Sequence, residues 1–364
     1  MTKKGFVTDF MTIIIDNIIT PYEIARYNEI AKVSGENLEV WFRKKSETNR
    51  NWRFLPKINF KYRFLDNKLF ELIKLLHDNK NKIDRIIVCG WDCLIYLYAF
   101  WFCKRNRIRF TLWSGSTSYE KSWLRILTIP LVKFIVSLSD DYIAYGTRAK
   151  EYLIWLGAKA EKIKIFLNSI DVEFFHKQSI RLKKNESNLR KKYGIPKNGK
   201  VIIFAGQLIE RKGIRELLDG FRQVTNSSIT LVIAGTGALK PEIESYIRRH
   251  KNAKIRLLGF IEYNKLPEVY ALSDALILPS REEVWGLVVN EALASGVPVL
   301  VSKFVGSSAD LVDNNNGEII KEISAEGIAE TLNRFVKKKG KYIISPQLLR
   351  KMKNKTYVKD MFTN

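Results

Sequence analysis

Short apolar runs alternate with segments in which apolar residues recur at helical spacing, and this alternation continues along most of the chain. The runs are typical of buried strands, and the segments are typical of helices that pack on a sheet. Together they predict parallel, doubly wound α/β sheets. The predicted strands are residues 12–16, 38–42, 86–89, 110–113, 142–145, 164–166, 201–205, 231–234, 255–258, 275–278 and 299–301. The clearest predicted helices are residues 22–33, 69–77, 123–138, 148–156 and 287–294.

One polar, basic segment interrupts this alternation near the middle of the chain. Residues 176–199 contain Gly194, Pro196 and Gly199 and lack an apolar run, so we interpret them as a linker. The predicted organisation is therefore a first domain at residues 1–175, a second at residues 200–344, and a C-terminal helical segment at residues 345–364.

The composition of the chain limits the classes of function that are consistent with it. A chain of 364 residues with 46% hydrophobic residues can form two globular domains. Its 62 Lys and Arg against 38 Asp and Glu give a net charge of +24, which favours an anionic partner: nucleic acid, an anionic membrane or a phosphorylated substrate. The three cysteines form no C-x2-C pair, and the three histidines are not clustered, so neither a zinc site nor a disulfide framework is expected.

No segment is predicted to cross a membrane. The N-terminal residues lack the apolar run of a signal peptide, which favours a cytoplasmic location. Residues 86–102 are the most apolar stretch, but Asp92 lies near their middle and is costly in a bilayer core. A strand, a turn at Gly90 and a helix that follows account for this stretch better.

Residues 279–302 place two carboxylates eight positions apart. Glu283 follows the predicted strand 275–278, and Gly286 opens the predicted helix that carries Glu291. Free N–H groups at the start of such a helix suit a phosphate, and the two carboxylates can accept hydrogen bonds from hydroxyl groups. The alternative is an ordinary βαβ crossover with surface glutamates.

This stretch resembles the donor-binding motif of the retaining glycosyltransferases of family four, which have the GT-B fold. The resemblance implies two Rossmann-like, doubly wound domains facing a central cleft, with the last helix returning to the first domain. It also implies that Glu283 contacts hydroxyls of the donor sugar, Glu291 holds the ribose, and the backbone at Gly286 and Leu287 meets the diphosphate. Trp285 lies within the same donor-binding motif. The matching residues are Pro279-Ser280, Trp285-Gly286-Leu287 and the run from Glu291 to Val299.

A second segment resembles the phosphate loop of the same family. It runs from Gly206 through Lys212, and Lys212 would supply a point charge to the diphosphate. Gln207 stands where many members carry arginine and cannot neutralise a phosphate, so Arg211 is the candidate to compensate. The alternative is that Arg211 and Lys212 are surface charges.

Shorter segments add to the resemblance. Gly235-Thr236-Gly237 is similar to the G-x-G of the family, and Phe260 or Ile261 would pack against the base of the nucleotide. Asn168 to Asp171, with Phe175, resembles the segment that closes the first domain, although Ser169 replaces the usual glycine.

The first domain offers three acceptor-side candidates at the ends of predicted strands. These are Thr20, Asp92 and Ser114, and Asp92 is the carboxylate that we place there. No general base is assigned, because in the family an oxygen of the donor phosphate is thought to accept the proton of the acceptor.

No metal and no cofactor is expected. The second domain has no D-x-D at a strand end, and capping is the interpretation for Asp140 and Asp141 in the first domain.

The resulting hypothesis is a metal-independent, retaining hexosyltransferase with Glu283 and Lys212 as catalytic residues. It would move sugar from a UDP- or GDP-sugar to a glycan or lipid-linked acceptor in the synthesis of cell-surface polysaccharide or glycoconjugate. The alternatives are a GT-B nucleotide-sugar epimerase and, from charge alone, a nucleic-acid-binding protein.

Two segments of the first domain are candidates for peripheral contact with the inner face of a membrane. Residues 43–64 interleave basic and aromatic residues, which also suits single-stranded nucleic acid or a solvated connector. Residues 121–138 combine an apolar stripe with Lys121, Arg125 and Lys133, and the alternative is a buried core helix.

Overall fold

The computed structural model describes residues 10–34, 37–46, 52, 55–120, 122–225, 228–250, 254–338 and 340–362. The strands are β1 Met11–Ile18, β2 Leu38–Lys44, β3 Lys61–Phe64, β4 Ile83–Val88, β5 Arg109–Ser114, β6 Asp141–Ala144, β7 Ile163–Ile165, β8 Lys200–Ala205, β9 Ile229–Ala234, β10 Ile255–Gly259, β11 Ala275–Leu278, β12 Val299–Ser302 and β13 Gly317–Ile320. The helices are α1 Pro21–Ser34, α2 Leu69–Asp78, α3 Leu94–Asn106, α4 Trp123–Leu138, α5 Thr147–Trp155, α6 Val172–Lys183, α7 Glu186–Lys192, α8 Ile214–Arg222, α9 Lys240–Arg249, α10 Leu266–Ala271, α11 Leu287–Ala294, α12 Ser308–Leu311, α13 Ala325–Lys337, α14 Pro346–Lys351 and α15 Lys355–Phe362.

The chain divides into two compact units. Unit 1 holds the described residues within 1–116, 121–167 and 357–364, and unit 2 holds those within 117–120 and 168–356. Among the described residues, the sheet of unit 1 has seven strands in the order β3-β2-β1-β4-β5-β6-β7, and the sheet of unit 2 has six in the order β10-β9-β8-β11-β12-β13. Both sheets are parallel. The predicted α/β class and Rossmann-like form of both halves are confirmed.

The sheet of unit 1 is buried on both faces. Alternate residues of β1 point in opposite directions, so Ile13 and Ile15 join one hydrophobic cluster while Ile14 joins the other. A parallel sheet of this kind needs helices on both faces, and its strands therefore consist of apolar runs. Because of this requirement, most of the strands could be predicted from apolar runs in the sequence.

Of the four edge strands of the described sheets, β7 and β10 were predicted from the sequence, and β3 and β13 were not. Strand β3 has the sequence KYRF and is largely exposed, and β13 is short and lies at the end of its sheet. Edge strands bury less surface than central ones, so they need no continuous apolar run. Residues 43–64, predicted as a connector or a binding loop, thus include a strand, whereas residues 47–51, 53 and 54 of that segment lie outside the described part.

The segment predicted as a linker, residues 176–199, contains most of α6 and all of α7 and belongs to unit 2. It is anchored by the buried side chains of Leu189 and Ile195. Arg190 donates hydrogen bonds to the carbonyls of Pro196 (3.0 Å) and Gly199 (3.2 Å). Most side chains of this segment are charged or polar, so its few buried apolar positions do not form a visible helical pattern.

Residues 86–102 do not form a membrane span. The sequence predicted a strand at residues 86–89, a turn at Gly90 and a helix from Asp92. In the structure, strand β4 ends at Val88, Gly90 follows, and α3 begins at Leu94. No helix in the described parts of the chain is both long enough and apolar enough to cross a bilayer.

The C-terminal segment 345–364 was predicted to be one helix and forms two, α14 and α15. Val358 and Met361 of α15 are buried in a core cluster of unit 1, and the carbonyl of Met361 accepts a hydrogen bond from Arg85 at 2.9 Å. The last helix therefore forms part of the core of unit 1 although the chain between passes through unit 2.

We expect Met361→Ala to lower the free energy of unfolding of unit 1 by about 2–5 kcal/mol, because a buried Met side chain is lost and a cavity remains. Differential scanning calorimetry of the full chain measures this change. Lys359→Ala is the matched control, because Lys359 is exposed on the same helix. Equal stability of the two variants would contradict the assignment of α15 to the core.

Candidate active site

The strand order of unit 2 places two site loops side by side. The order reverses between β8 and β11, and ligands of open α/β sheets bind beyond the carboxyl ends of the strands at such a point. The loop after β8 carries Gly206 to Lys212, and the loop after β11 carries Glu283 to Gly286. The two motifs found in the sequence are therefore neighbours in space.

An ion pair joins these loops. The ammonium of Lys212 donates a hydrogen bond to Glu283 Oε2, and the Arg211 guanidinium lies 4.0 Å from the same oxygen. Arg211 also donates to the carbonyl of Glu282 at 2.9 Å, and its own carbonyl accepts from the amide of Arg281 at 2.7 Å. Both side chains of the ion pair are mostly buried, with 10% of Lys212 and 13% of Glu283 exposed. One carboxylate and two cations thus meet at the edge of the sheet.

The backbone around Gly286 positions Glu283 and the start of α11. Gly286 adopts φ +86°, and a Cβ there would lie 3.0 Å from Val305 Cγ1, so a larger residue would be strained. The loop after β12 braces this turn, because the amide of Gly306 donates to Glu283 O and that of Ser307 donates to Trp285 O, each at 2.9 Å. The first amides of α11 are thereby held beside Glu283, and helix-start amides suit an anion.

Trp285 supports the loop through its side chain. Its indole is buried and donates to Asn290 Oδ1 at 2.9 Å, and Asn290 Nδ2 donates to the carbonyl of Asn168 at 3.3 Å. The indole is thus engaged in supporting the loop, and the donor-binding role of Trp285 stays a prediction. Asn290 is a supporting residue that the sequence analysis missed.

Glu291 lies deeper than Glu283. Its side chain has 0% exposure, and Glu291 Oε2 accepts a hydrogen bond of 2.7 Å from the hydroxyl of Tyr270 on α10. Burial, together with the Glu291 carboxylate, raises the pKa of Tyr270 well above its usual value, so the phenol stays protonated and donates. Burial and the same carboxylate also raise the pKa of Tyr263.

Two phenylalanine rings pack on the two tyrosines that interact with this buried carboxylate. The ring of Phe175 lies 5.5 Å from that of Tyr263 and 6.1 Å from that of Tyr270, and Phe174 stacks on Tyr263 at 5.6 Å. The sequence singled out Phe175 alone among these four. Tyr270 and Glu291 lie on different helices, so no local pattern indicated their contact.

The remaining predicted donor-binding residues follow β8, β9 and β10. A Cβ on Gly235 would lie 1.8 Å from Gly206 O, so glycine is required where these two loops meet. The amide of Gly235 donates to Gly259 O at 2.7 Å, which places Phe260 and Ile261 at the same edge. Phe260 is 51% exposed, while Ile261 and Gln207 are half-buried.

The acceptor-side candidates follow three adjacent strands of unit 1, namely β1, β4 and β5. Thr20 caps α1: its hydroxyl bonds to the Glu23 carboxylate and accepts from the amide of Glu23 at 3.3 Å. Asp92 is exposed and lies 3.8 Å from Arg43, and buried Ser114 accepts from the amide of Ser116 at 3.1 Å.

Unit 1 also contains a buried polar cluster that the sequence analysis missed. The Arg26 guanidinium lies over the rings of Trp113 (5.2 Å) and Tyr145 (5.1 Å), and 3.8 Å from the Glu23 carboxylate. Asp16 accepts a hydrogen bond of 2.5 Å from the hydroxyl of Tyr27. Asp92 is thus not the only carboxylate beyond these strand ends.

No group of three or more His, Cys, Asp or Glu side chains within the described ranges is arranged to hold a metal ion.

The family model for glycosyl transferases group 1 matches residues 185–358, which include both site loops. This matched segment, slightly less than half of the chain, is similar to the group 1 glycosyl transferases. It is 30% identical over 193 residues to an uncharacterized glycosyltransferase of Methanocaldococcus jannaschii, an alignment that covers 51% of this chain and 48% of that protein. The chain spans about half the length of the first curated relatives that it matches.

A longer alignment joins the chain to an Escherichia coli relative named UDP-Gal:alpha-D-GlcNAc-diphosphoundecaprenol alpha-1,3-galactosyltransferase. They are 22% identical over 304 residues, which are 80% of this chain and 73% of that protein. In fold, the chain is similar to the crystal structure of Anabaena HepE in complex with UDP, with a TM-score of 0.76, 16% identity, and coverage of 97% and 98% of the two chains. The GT-B fold predicted from the sequence is confirmed, and the epimerase alternative finds no support among these relatives.

We expect Glu283→Gln to reduce turnover far more than it weakens nucleotide binding, because the predicted partner of Glu283 is the donor sugar. Steady-state kinetics and calorimetry with the free nucleotide separate the two effects. The matched control is Glu282→Gln, since Glu282 holds Arg211 through its backbone carbonyl, which the change leaves in place. Turnover near that of wild type in Glu283→Gln would show that the donor sugar is placed wrongly.

We expect Glu291→Ala to weaken nucleotide binding about ten- to hundredfold, as a charged hydrogen-bond partner contributes about 1.5–3 kcal/mol. The change also removes the acceptor of the Tyr270 hydroxyl. Tyr270→Phe is therefore measured beside it, because it removes that hydrogen bond and keeps the carboxylate. Equal weakening in the two variants would mean that Glu291 acts only through Tyr270.

Proposed function

We propose that the chain is a retaining glycosyltransferase that moves a sugar from a UDP- or GDP-sugar to a glycan or lipid-linked acceptor. The product would belong to a cell-surface polysaccharide or glycoconjugate. The ion pair of Lys212 and Glu283 beside the start of α11 carries this proposal. It places cations, helix-start amides and a carboxylate together, which are the groups that a sugar diphosphate needs.

Each group has a part in the proposed reaction. Lys212 and Arg211, with the amides of Gly286 and Leu287, would bind the diphosphate, which gains negative charge as its bond to the sugar C1 breaks. Glu283 would accept hydrogen bonds from hydroxyls of the donor sugar. The acceptor oxygen would bond to C1 on the face that the phosphate leaves, and its proton would pass to a phosphate oxygen. This route gives retention and needs no protein base, so Glu283 and Glu291 are not an acid and nucleophile pair of a hydrolase.

The remainder of the donor would extend across the neighbouring loops. Gly206, Gln207 and Gly235 lie where two of these loops approach each other closely. Backbone groups at this point would lie near the diphosphate. Glu291 would bind the ribose, and the exposed ring of Phe260, with Ile261, would pack on the base. The acceptor-side assignments of Thr20, Asp92 and Ser114 stay predictions.

The proposed reaction requires no metal and no cofactor, because Lys212 and Arg211 already supply positive charge where the diphosphate would bind. The nucleotide sugar is a substrate.

The proposed acceptor and location follow from charge and from a relative. The name of the Escherichia coli relative describes a diphosphoundecaprenol substrate, which is a lipid-linked sugar. A net charge of +24 would draw this chain to an anionic membrane from the cytoplasmic side. We therefore propose a cytoplasmic enzyme in peripheral contact with the inner face of the membrane. Nucleic acid is not the proposed partner, since charge alone supports it.

Release of free nucleotide tests the reaction. The full chain is incubated with UDP- and GDP-sugars and a panel of glycan and lipid-linked acceptors, in EDTA, and UDP or GDP release is measured. We expect release that depends on acceptor and persists in EDTA, with a product whose anomeric configuration by NMR equals that of the donor. Consumption of donor without release would indicate an epimerase, and activity that EDTA abolishes and Mn²⁺ restores would contradict metal independence.

A further inference from the structure

Helix α4 presents an apolar stripe to solvent. Leu124, Leu127, Leu131, Phe134 and Leu138 follow one another at spacings of three and four residues, which places them on one face of the helix. Trp123 and Ile126 widen this face. All seven side chains are between 44% and 69% exposed. The alternative of a buried core helix is therefore wrong for this face, since only Val132, Ile135 and Val136 of α4 are buried.

The face continues onto α5. The ammonium of Lys133 lies 4.7 Å from the ring of Trp155, and the Arg125 guanidinium lies 4.7 Å from the ring of Tyr152. Tyr152 and Trp155 stack on each other at 5.5 Å, and Trp155 is exposed. Two cations thus border the apolar stripe, and each rests on an aromatic ring of the next helix. Tyr152 itself is buried, so we refer to the exposed side chains of α4 together with the exposed Trp155 as the α4–α5 face.

The charge of this face is positive. Helix α4 contains Arg125 and Lys133 and no acidic residue. Asp140, just beyond the helix, is paired with Lys104 at 2.8 Å, and Glu151 of α5 is exposed. An apolar stripe bordered by cations and aromatic rings matches the interface of an anionic bilayer, where apolar groups enter the acyl region and cations meet phosphates.

We propose that the α4–α5 face docks on an anionic lipid bilayer and lies in its interface without spanning it. The inference rests on the proposed function in one respect: a lipid-linked acceptor would explain why the enzyme docks on a membrane. The other candidate segment, residues 43–64, is less suited, because its described aromatic rings pack on one another. The rings of Phe60 and Phe64 each lie against that of Tyr62, at 6.0 Å and 5.6 Å.

A second copy of the chain would fit this face less well. The stripe has the spacing of a coiled-coil seam, but such seams are flanked by residues of opposite charge, and here the flanking charges are Arg125 and Lys133. Two copies would bring like charges together on chains that each carry +24. Trp123 and Ile126 also make the apolar surface wider than a seam.

Sedimentation with vesicles tests the proposal on the full chain. We expect binding to vesicles of phosphatidylglycerol and phosphatidylcholine that far exceeds binding to phosphatidylcholine alone at low salt. The double variant Leu127→Ser/Leu131→Ser should bind the anionic vesicles at least about tenfold more weakly, since two exposed leucines no longer enter the acyl region. Phe70→Ser is the matched control, because Phe70 is 77% exposed on α2, outside the face.

Binding measurements at low and at high salt separate the contributions that charge and apolar contact make to vesicle binding. Lys133→Gln should weaken binding about fivefold at low salt and little at high salt, because one basic residue near an anionic surface contributes about 1 kcal/mol and is screened. Negligible binding to both kinds of vesicle, or an equal loss in Phe70→Ser and in the double variant, would overturn the proposal. A dimer in light scattering that the double variant abolishes would also overturn it, in favour of self-association.

The proposed docking face and the proposed function can be rejected independently of each other. Calorimetry with UDP on the double variant should give the wild-type affinity, because neither leucine belongs to the proposed donor site. Loss of vesicle binding with intact UDP binding supports the docking face. A wild-type chain that binds vesicles and no nucleotide would leave the docking face in place and reject the proposed function.

Discussion

Parallel strands buried on both faces are the constraint on which the rest of this structure depends. Because the strands of each sheet are parallel, their carboxyl ends meet at one edge, and ligands of such sheets bind in the loops beyond that edge. In unit 2 this brings residues 206–213 and 279–286, far apart in sequence, to the same place beside the β8 and β11 strand ends. The glycines of these loops allow backbone to approach backbone, and contacts such as that of Lys212 with Glu283 then join the loops.

The two glutamates, Glu283 and Glu291, differ in how deeply they are buried. Glu283 keeps some exposure and is paired with Lys212 and Arg211. In the proposed reaction, a diphosphate would share those cations while the carboxylate accepts hydrogen bonds from sugar hydroxyls. Glu291 is fully buried and is held by Tyr270, which keeps its proton because burial and the carboxylate raise its pKa. A buried carboxylate without such a donor would be strongly unfavourable. The phenol therefore belongs to the site as much as the carboxylate does.

Structural features that depend on a local sequence pattern could be predicted, whereas contacts between residues far apart in the sequence could not. Central strands and α4 were legible from their apolar patterns, and Glu283, Gly286 and Glu291 from one continuous motif. The pairing of Lys212 with Glu283 spans 71 positions, and that of Tyr270 with Glu291 joins two helices, so neither leaves a periodic signal. The cap that joins Thr20 to Glu23 has a local S/T-x-x-E spacing, and this signal was present and overlooked. Edge strand β3 and helix α7 bury too little to need an apolar run.

The exposed face of α4 shows a different limit of pattern reading. Apolar spacing identifies the helix and its stripe, but the same spacing serves a core, a partner or a bilayer, and only the three-dimensional surroundings separate these cases. Here the core contacts are made by Val132, Ile135 and Val136, and the stripe of larger side chains lies on the other side. An exposed apolar surface of this kind promotes association, and a net charge of +24 opposes association between copies while it attracts an anionic surface. In the proposed docking, the charge that opposes association between copies would therefore also direct the stripe toward lipid.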